Sequence, residues 1–252
     1  MRLTVIGPGP AYTRRPRTSS CYLVEAGAAA LVLDLGHGSF TGLARRRDPA
    51  SLTAIFVSHL HPDHHIDLVP LRHFLMYAPH APGRVALHAP ADLRRRYDEL
   101  NGEAGFLDVL EARPDLAPGT RQVGPFRIDV GRVTHTDSSF GFRIAIDDGD
   151  APGTARGLVY SGDCGRPGDL LALLRPGDVL LSEASFGGAE PVDQVEHLTA
   201  AEAGRAAREG AASRLILTHI LDEAAKGALP AARSVYSGPV ELARPGLQVD
   251  IA

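Results

Sequence analysis

Five short apolar runs in this chain each stop on a side chain that is able to bind a metal ion. Leu31 leads to Asp34, Thr53 to Ser58 leads to His59, and Gly157 to Ser161 leads to Asp163. Val179 to Ser182 leads to Glu183, and Arg214 to Thr218 leads to His219. Short apolar runs bounded by Gly, Pro and Ser read as buried strands. In layered α/β proteins, sites gather where loops leave the C-terminal ends of strands. Packing gives no reason for five such ends to carry His, Asp or Glu. The pattern therefore predicts an α/β fold whose strands are aimed at one polar site.

The rest of the chain supplies the other layers. Leu3 to Ile6, Cys21 to Glu25, Arg84 to His88, Phe126 to Val133 and Phe140 to Ile146 read as strands, the last two bracketing His135. Ile66 to Tyr77 reads as a helix, with Pro70 near its first turn. Ala91 to Leu100 reads as a polar-faced helix. Thr199-Ala200-Ala201-Glu202 fits a capping box opening a helix to about Glu209. A further helix from about Glu223 and short strands finish the chain, and Asp147 to Arg156 reads as a hairpin tip. There is no low-complexity linker and no shift in composition, so residues 1–252 are expected to form one domain. A chain of 252 residues with 44% apolar content can bury such a core.

Charge and cysteine usage narrow the class. A net charge of -4 argues against non-specific nucleic-acid binding. Arginine carries nearly all the positive charge, Lys226 being the one lysine. Cys21 and Cys164 form no spaced framework, which points to a reducing compartment. The apolar start from Met1 to Ile6 is too short for a signal-peptide core, and no run of about 18 apolar residues follows. A soluble, cytoplasmic protein with no membrane association is expected.

The segment His59-Leu60-His61-Pro62-Asp63-His64 carries the chemistry. Three imidazoles and a carboxylate in one loop suit zinc and similar divalent ions. With this motif in place, the sequence resembles the metallo-β-lactamase-fold superfamily of hydrolases along nearly its whole length. His135, in Val133-Thr134-His135, matches the family's third histidine. Asp163, in Ser161-Gly162-Asp163, matches its bridging aspartate, and His219, in Leu217-Thr218-His219, its last histidine. The resemblance implies a four-layered αββα sandwich. It assigns His59, His61 and His135 to one metal, Asp63, His64 and His219 to a second, and Asp163 to both. Zinc is the expected ion, with manganese or iron as alternatives.

Within the superfamily the sequence looks most like the ribonuclease Z and phosphodiesterase branch. Glu183-Ala184-Ser185 after a strand and His197-Leu198-Thr199 before a helix carry that likeness. In that branch the glutamate orients the histidine, which donates a proton near the scissile phosphate. Two ions about 3.5–4 Å apart activate a bridging hydroxide and neutralise phosphoryl charge. Asp63, His197 and Glu183 are thus the expected catalytic residues, and a small or cyclic nucleotide phosphodiester the expected substrate. The branch also implies a homodimer. A tRNA 3′-processing endonuclease is the alternative. The short stretch between Asp163 and His219 leaves little room for the tRNA-gripping arm, and the acidic charge disfavours RNA. A lactone or thioester hydrolase, and a metal-stabilised binding protein, are further readings of the same ligands.

Other residues read more plainly. Asp34 is placed equally between steadying a ligand histidine and ending a strand. Cys164 reads as a small buried filler. His37, His65, His73, His80 and His88 are expected outside the metal centre, and Ser138 and Ser139 have a weak claim on phosphate. The runs Arg14-Arg15-Pro16-Arg17, Arg45-Arg46-Arg47 and Arg94-Arg95-Arg96 read as solvated surface.

Overall fold

The structure is a computed structural model that describes residues 1–12, 17–78, 84–146, 155–190 and 196–251. Two seven-stranded sheets face each other. The first contains β1 (Arg2–Gly7), β2 (Cys21–Ala26), β3 (Ala29–Leu33), β4 (Ala54–Phe56), β5 (Ala86–His88), β6 (Glu111–Ala112) and β14 (Gln248–Asp250), in the order β14-β1-β2-β3-β4-β5-β6. The second contains β7 (Gly119–Val123), β8 (Phe126–Arg132), β9 (Phe140–Ile146), β10 (Leu158–Tyr160), β11 (Val179–Glu183), β12 (Arg214–Thr218) and β13 (Val240–Leu242), in the order β13-β12-β11-β10-β9-β8-β7.

The two-residue alternation of strands sorts the side chains into layers. Leu31 and Leu33 of β3 enter the core between the sheets, with Tyr22, Phe56, Phe142 and Leu181. Ala30 and Val32 of the same strand face outward, toward Leu43, Leu71 and Tyr97. These come from α1 (Phe40–Ala44), α2 (Leu68–Tyr77) and α3 (Leu93–Asn101). On the far side, Leu180 and Leu217 meet Leu170, Ala203 and Ala232. Those belong to α4 (Pro167–Leu171), α5 (Ala200–Glu209) and α6 (Ala225–Arg233). Helix, sheet, sheet, helix is the expected αββα order.

The capping box forms as read: Glu202 N–H donates to Thr199 Oγ1 at 3.2 Å, and Thr199 N–H donates to Glu202 Oε2 at 2.9 Å. Pro70 sits in the first turn of α2, where its missing N–H costs nothing. Elements absent from the sequence reading are α1, α4, β6 and β7. All are short, and β7 is half exposed, so none shows a sustained apolar period. Most of the expected hairpin tip, Asp147 to Arg156, lies outside the described residues. Among the described residues, no helix is long and apolar enough to cross a membrane.

Topology explains why the polar strand ends meet. β3, β4 and β5 run parallel, as do β10, β11, β12 and β13. The loops that follow β3, β4, β10, β11 and β12 therefore leave the sandwich in sets, each carrying its terminal Asp, His or Glu.

Candidate metal centre

The motif loop takes its shape from Pro62. A residue before proline is held extended, and His61 has φ -79° and ψ 138°. Proline then opens a 3-10 turn, Pro62–His64, at the one position where no N–H is needed. His59 and His61 thus project from extended chain, while Asp63 and His64 are carried round to a second face. The loop is docked on the chain after β3, where Leu35 N–H donates to the His64 carbonyl at 2.8 Å. Gly36 makes that approach possible. A Cβ there would lie 1.8 Å from the Asp63 carbonyl oxygen.

Two clusters result. His59 Nε2 and His135 Nε2 each lie 3.0 Å from His61 Nδ1, and each lies 3.7 Å from Asp163 Oδ2. In the other, His219 Nε2 lies 3.1 Å from Asp63 Oδ2 and 3.3 Å from His64 Nε2. Asp163 faces this cluster too, with Oδ1 3.3 Å from His64 Nε2 and Oδ2 3.6 Å from His219 Nε2. Four donors around a zinc at about 2.0–2.1 Å sit roughly 3.3 Å apart, as edges of a tetrahedron. The observed spacings match that figure.

The donor set fits divalent cations on two further grounds. Asp163 Oδ1 is buried without a hydrogen-bond partner among the described residues. Metal binding also needs neutral imidazole and ionised carboxylate. Burial, reinforced by the neighbouring His64, holds His59 well below the usual imidazole range, and burial lowers His61. His64 moves the other way: burial opposes its charge, but the Asp163 and Asp34 carboxylates outweigh it. Burial also opposes the charge on Asp63 and Asp163, yet contacts with His219 and His64 hold both below the carboxylate range.

Four of the five imidazoles are steadied through the other nitrogen. His135 Nδ1 donates to the Glu196 carbonyl at 2.8 Å, and His219 Nδ1 meets Ser185 Oγ at 3.1 Å. His59 Nδ1 meets Ser58 Oγ at 3.1 Å. His64 Nδ1 donates to Asp34 Oδ2 at 2.7 Å. Asp34, fully buried with φ 58°, also accepts from Ser58 N–H at 2.6 Å, Ser58 O–H at 2.8 Å and Tyr160 O–H at 2.6 Å. Of its two readings, steadying a histidine is the one the contacts support. Asp34→Asn is expected to weaken metal affinity by about 10–100-fold, read by chelator competition, with fold retained. Unchanged affinity would reduce Asp34 to a strand-end aspartate.

His197 stands between the clusters. Its ring centroid is 4.7 Å from that of His135 and 5.9 Å from that of His219. Its Nδ1 donates to Glu183 Oε1 at 2.9 Å and lies 4.0 Å from Asp163 Oδ2. Glu183 is fully buried and accepts from five donors. Oε1 takes Cys164 N–H at 3.0 Å, Leu198 N–H at 3.2 Å and His197, while Oε2 takes Ser185 N–H at 2.8 Å and Ser185 O–H at 2.9 Å. Burial works against a charge on His197, but the hydrogen bond and charge of Glu183 prevail and raise it to about 9.

The sequence-predicted residues are thus brought together, and the plainer readings sort as follows. Cys164 is fully buried, with Sγ donating to the Arg166 carbonyl at 3.2 Å, and burial raises its thiol, as a buried filler requires. His65 turns away, its Nδ1 3.0 Å from Tyr97 Oη, and His88 stacks on Phe56 at 4.3 Å in the core. His37 and His73 are exposed. His80 and Arg14-Arg15-Pro16 lie outside the described residues. Ser139 is buried and bonded to Thr136 Oγ1 at 2.7 Å, so its hydroxyl serves the loop rather than the site. Sequence reasoning missed Ser58, Ser185 and Tyr160. Ser58 and Ser185 each neighbour a predicted residue, which was the available signal. Tyr160 gave none beyond its strand.

A family model described as "Beta-lactamase superfamily domain" matches residues 26–220. An uncharacterized protein of Mycobacterium leprae is 32% identical, over all of this chain and 89% of its own length. A ribonuclease Z of Myxococcus xanthus is 28% identical, over 100% of this chain and 98% of its own length. Among solved structures, the metallo-beta-lactamase fold protein YhfI from Bacillus subtilis superposes with a TM-score of 0.85 at 25% identity, covering 99% of each chain. The family match spans all five metal-competent strand ends and the motif loop, and the relatives align from end to end. This chain belongs to the beta-lactamase superfamily, in its ribonuclease Z-like branch of metal-dependent hydrolases.

Proposed function

We propose that the chain, as one domain and a homodimer in the cytoplasm, is a binuclear phosphodiesterase acting on a small or cyclic nucleotide. The observation that carries this reading is the His197–Glu183 pair beside Asp163, between the two imidazole clusters. Hydrolysis of a phosphodiester expels an alkoxide, which needs a proton. A thioester opened at the same centre expels a thiolate, which departs without a proton and makes less use of a second, carboxylate-held imidazole there.

In this reading His59, His61 and His135 hold one ion, Asp63, His64 and His219 the other, and Asp163 faces both. Bound there, two divalent ions, zinc by the chemistry of the donors, would activate water and neutralise charge on the phosphoryl oxygens. The protein's own groups do the rest. Glu183 accepts a hydrogen bond from His197 Nδ1–H, fixing the ring so that Nε2 is the nitrogen left to donate to the departing oxygen. Ser185 bridges Glu183, His197 and His219, so the proton donor and a proposed ligand share one support.

The end-to-end match to a ribonuclease Z favours a second reading, tRNA 3′-processing. Against it, α4, β11, α5 and β12 take up nearly half of the chain between Asp163 and His219, and no arm is present among the described residues. The test is a panel on metal-reconstituted protein: bis(p-nitrophenyl) phosphate, 3′,5′-cyclic AMP, a precursor tRNA and a lactone. Turnover of both phosphodiesters with little on the tRNA is the expected result. Turnover of the lactone alone would overturn the proposal, and efficient tRNA cleavage would replace it with the second reading.

A further inference from the structure

A cavity of about 310 Å³ opens beside the motif loop, lined by His61, Asp92, Arg96, Thr136, Asp137 and Ser138. It shares His61 with the metal centre, and His197 is not among its lining residues. Its size is at the lower end for small-molecule sites, enough for a sugar phosphate and too small for a folded nucleic acid.

The three arginines at the start of α3 have separate fates. Arg94 pairs with Asp108 at 3.1 Å, and Arg95 with Asp92 at 3.2 Å and Glu99 at 2.5 Å. Arg96 has no carboxylate partner among the described residues. Its one side-chain hydrogen bond among the described residues is from Nη1 to the Leu60 carbonyl at 3.3 Å, which holds the guanidinium over the motif loop and at the cavity wall. A guanidinium without a carboxylate, with the Ser138 side chain beside it on the cavity wall, matches a phosphate, which it can grip with two parallel N–H bonds. Of the two carboxylates, Asp92 is occupied by Arg95. Asp92 enters the helix at φ 71°, a left-handed conformation unusual for a residue other than glycine. Backbone of this kind gathers at ligand sites.

We propose that this cavity receives a second, non-scissile sugar phosphate of the substrate, with Arg96 as the residue that selects for it. The inference rests on the phosphodiesterase reading. The preferred substrates are then short nucleotide diesters carrying a further terminal phosphate.

The experiment compares the dinucleotides pApA and ApA, with bis(p-nitrophenyl) phosphate as a wild-type reference. Binding of ribose 5-phosphate is measured in parallel by calorimetry. Wild type is expected to prefer pApA by about 10-fold or more in kcat/KM, the equivalent of one charge-assisted contact. Arg96→Gln should bring the ratio near one and weaken ribose 5-phosphate binding, and Arg96→Lys should recover part of both. The lysine variant and thermal melts separate this from a shifted motif loop, which would depress both dinucleotides alike. Equal preference in wild type and Arg96→Gln, with phosphodiesters still hydrolysed, would overturn the inference and leave the phosphodiesterase reading standing. Arg96-dependent sugar-phosphate binding without any phosphodiester turnover would do the reverse.

Discussion

Asp163→Ala is expected to abolish turnover of bis(p-nitrophenyl) phosphate and to strip metal from both clusters. Asp163 is the one carboxylate, among the described residues, within 4 Å of imidazole nitrogens from both sides. Without it, His59, His61 and His135 keep three nitrogens and no anion, and the two clusters lose the group that spans them. Losing a residue that only steadies a ligand costs about 10–100-fold in metal affinity, so loss of a residue facing both ions should exceed the upper end of that range. The measurement is metal content by elemental analysis alongside kcat, with the fold checked by circular dichroism. Metal content and activity both at wild-type level would remove Asp163 from the centre and with it the binuclear reading.

His197→Ala is expected to separate catalysis from metal binding. Metal content should stay at the wild-type level, because without His197, which also lies near Asp163 and His219, one cluster keeps His59, His61 and His135, the other keeps Asp63, His64 and His219, and Asp163 still faces both. Turnover of a dinucleotide should fall by about 10²–10⁴-fold, the range for one positioned proton donor. Turnover of bis(p-nitrophenyl) phosphate should fall far less, since p-nitrophenolate departs without needing a proton. That contrast between leaving groups is the signature of proton donation and is not produced by a general loosening of the loop. An equal loss on both substrates would assign His197 a positioning role, and no loss on either would remove it from the mechanism.

Much of the centre was legible in the sequence because its parts are local. The His59 to His64 motif packs four donors into one loop, and Pro62 dictates the change of direction that divides them. The capping box at Thr199 is likewise a contact between near neighbours. The alternation of β3 and β11 was readable as buried strand, although which residues face the sheet partner and which face the helices was not. Short elements such as α4 and β7 escaped because five residues carry too little period to stand out.

What lay beyond the sequence was every relation between distant segments. Residue type and spacing pointed to the His59 to His64 motif and to polar strand ends, and the resemblance to a family added His135, Asp163 and His219 as expected ligands. Only the tertiary structure decided that Asp34 serves His64 across 30 positions, with Tyr160 beneath it, and that Ser185 joins Glu183, His197 and His219. It also decided that Arg94 and Arg95 are paired while Arg96 faces a cavity. The reason is physical. A hydrogen-bond partner or a counter-ion is chosen by the packing of sheets and helices, and a run of three arginines looks the same in sequence whether its charges are neutralised or left for a ligand.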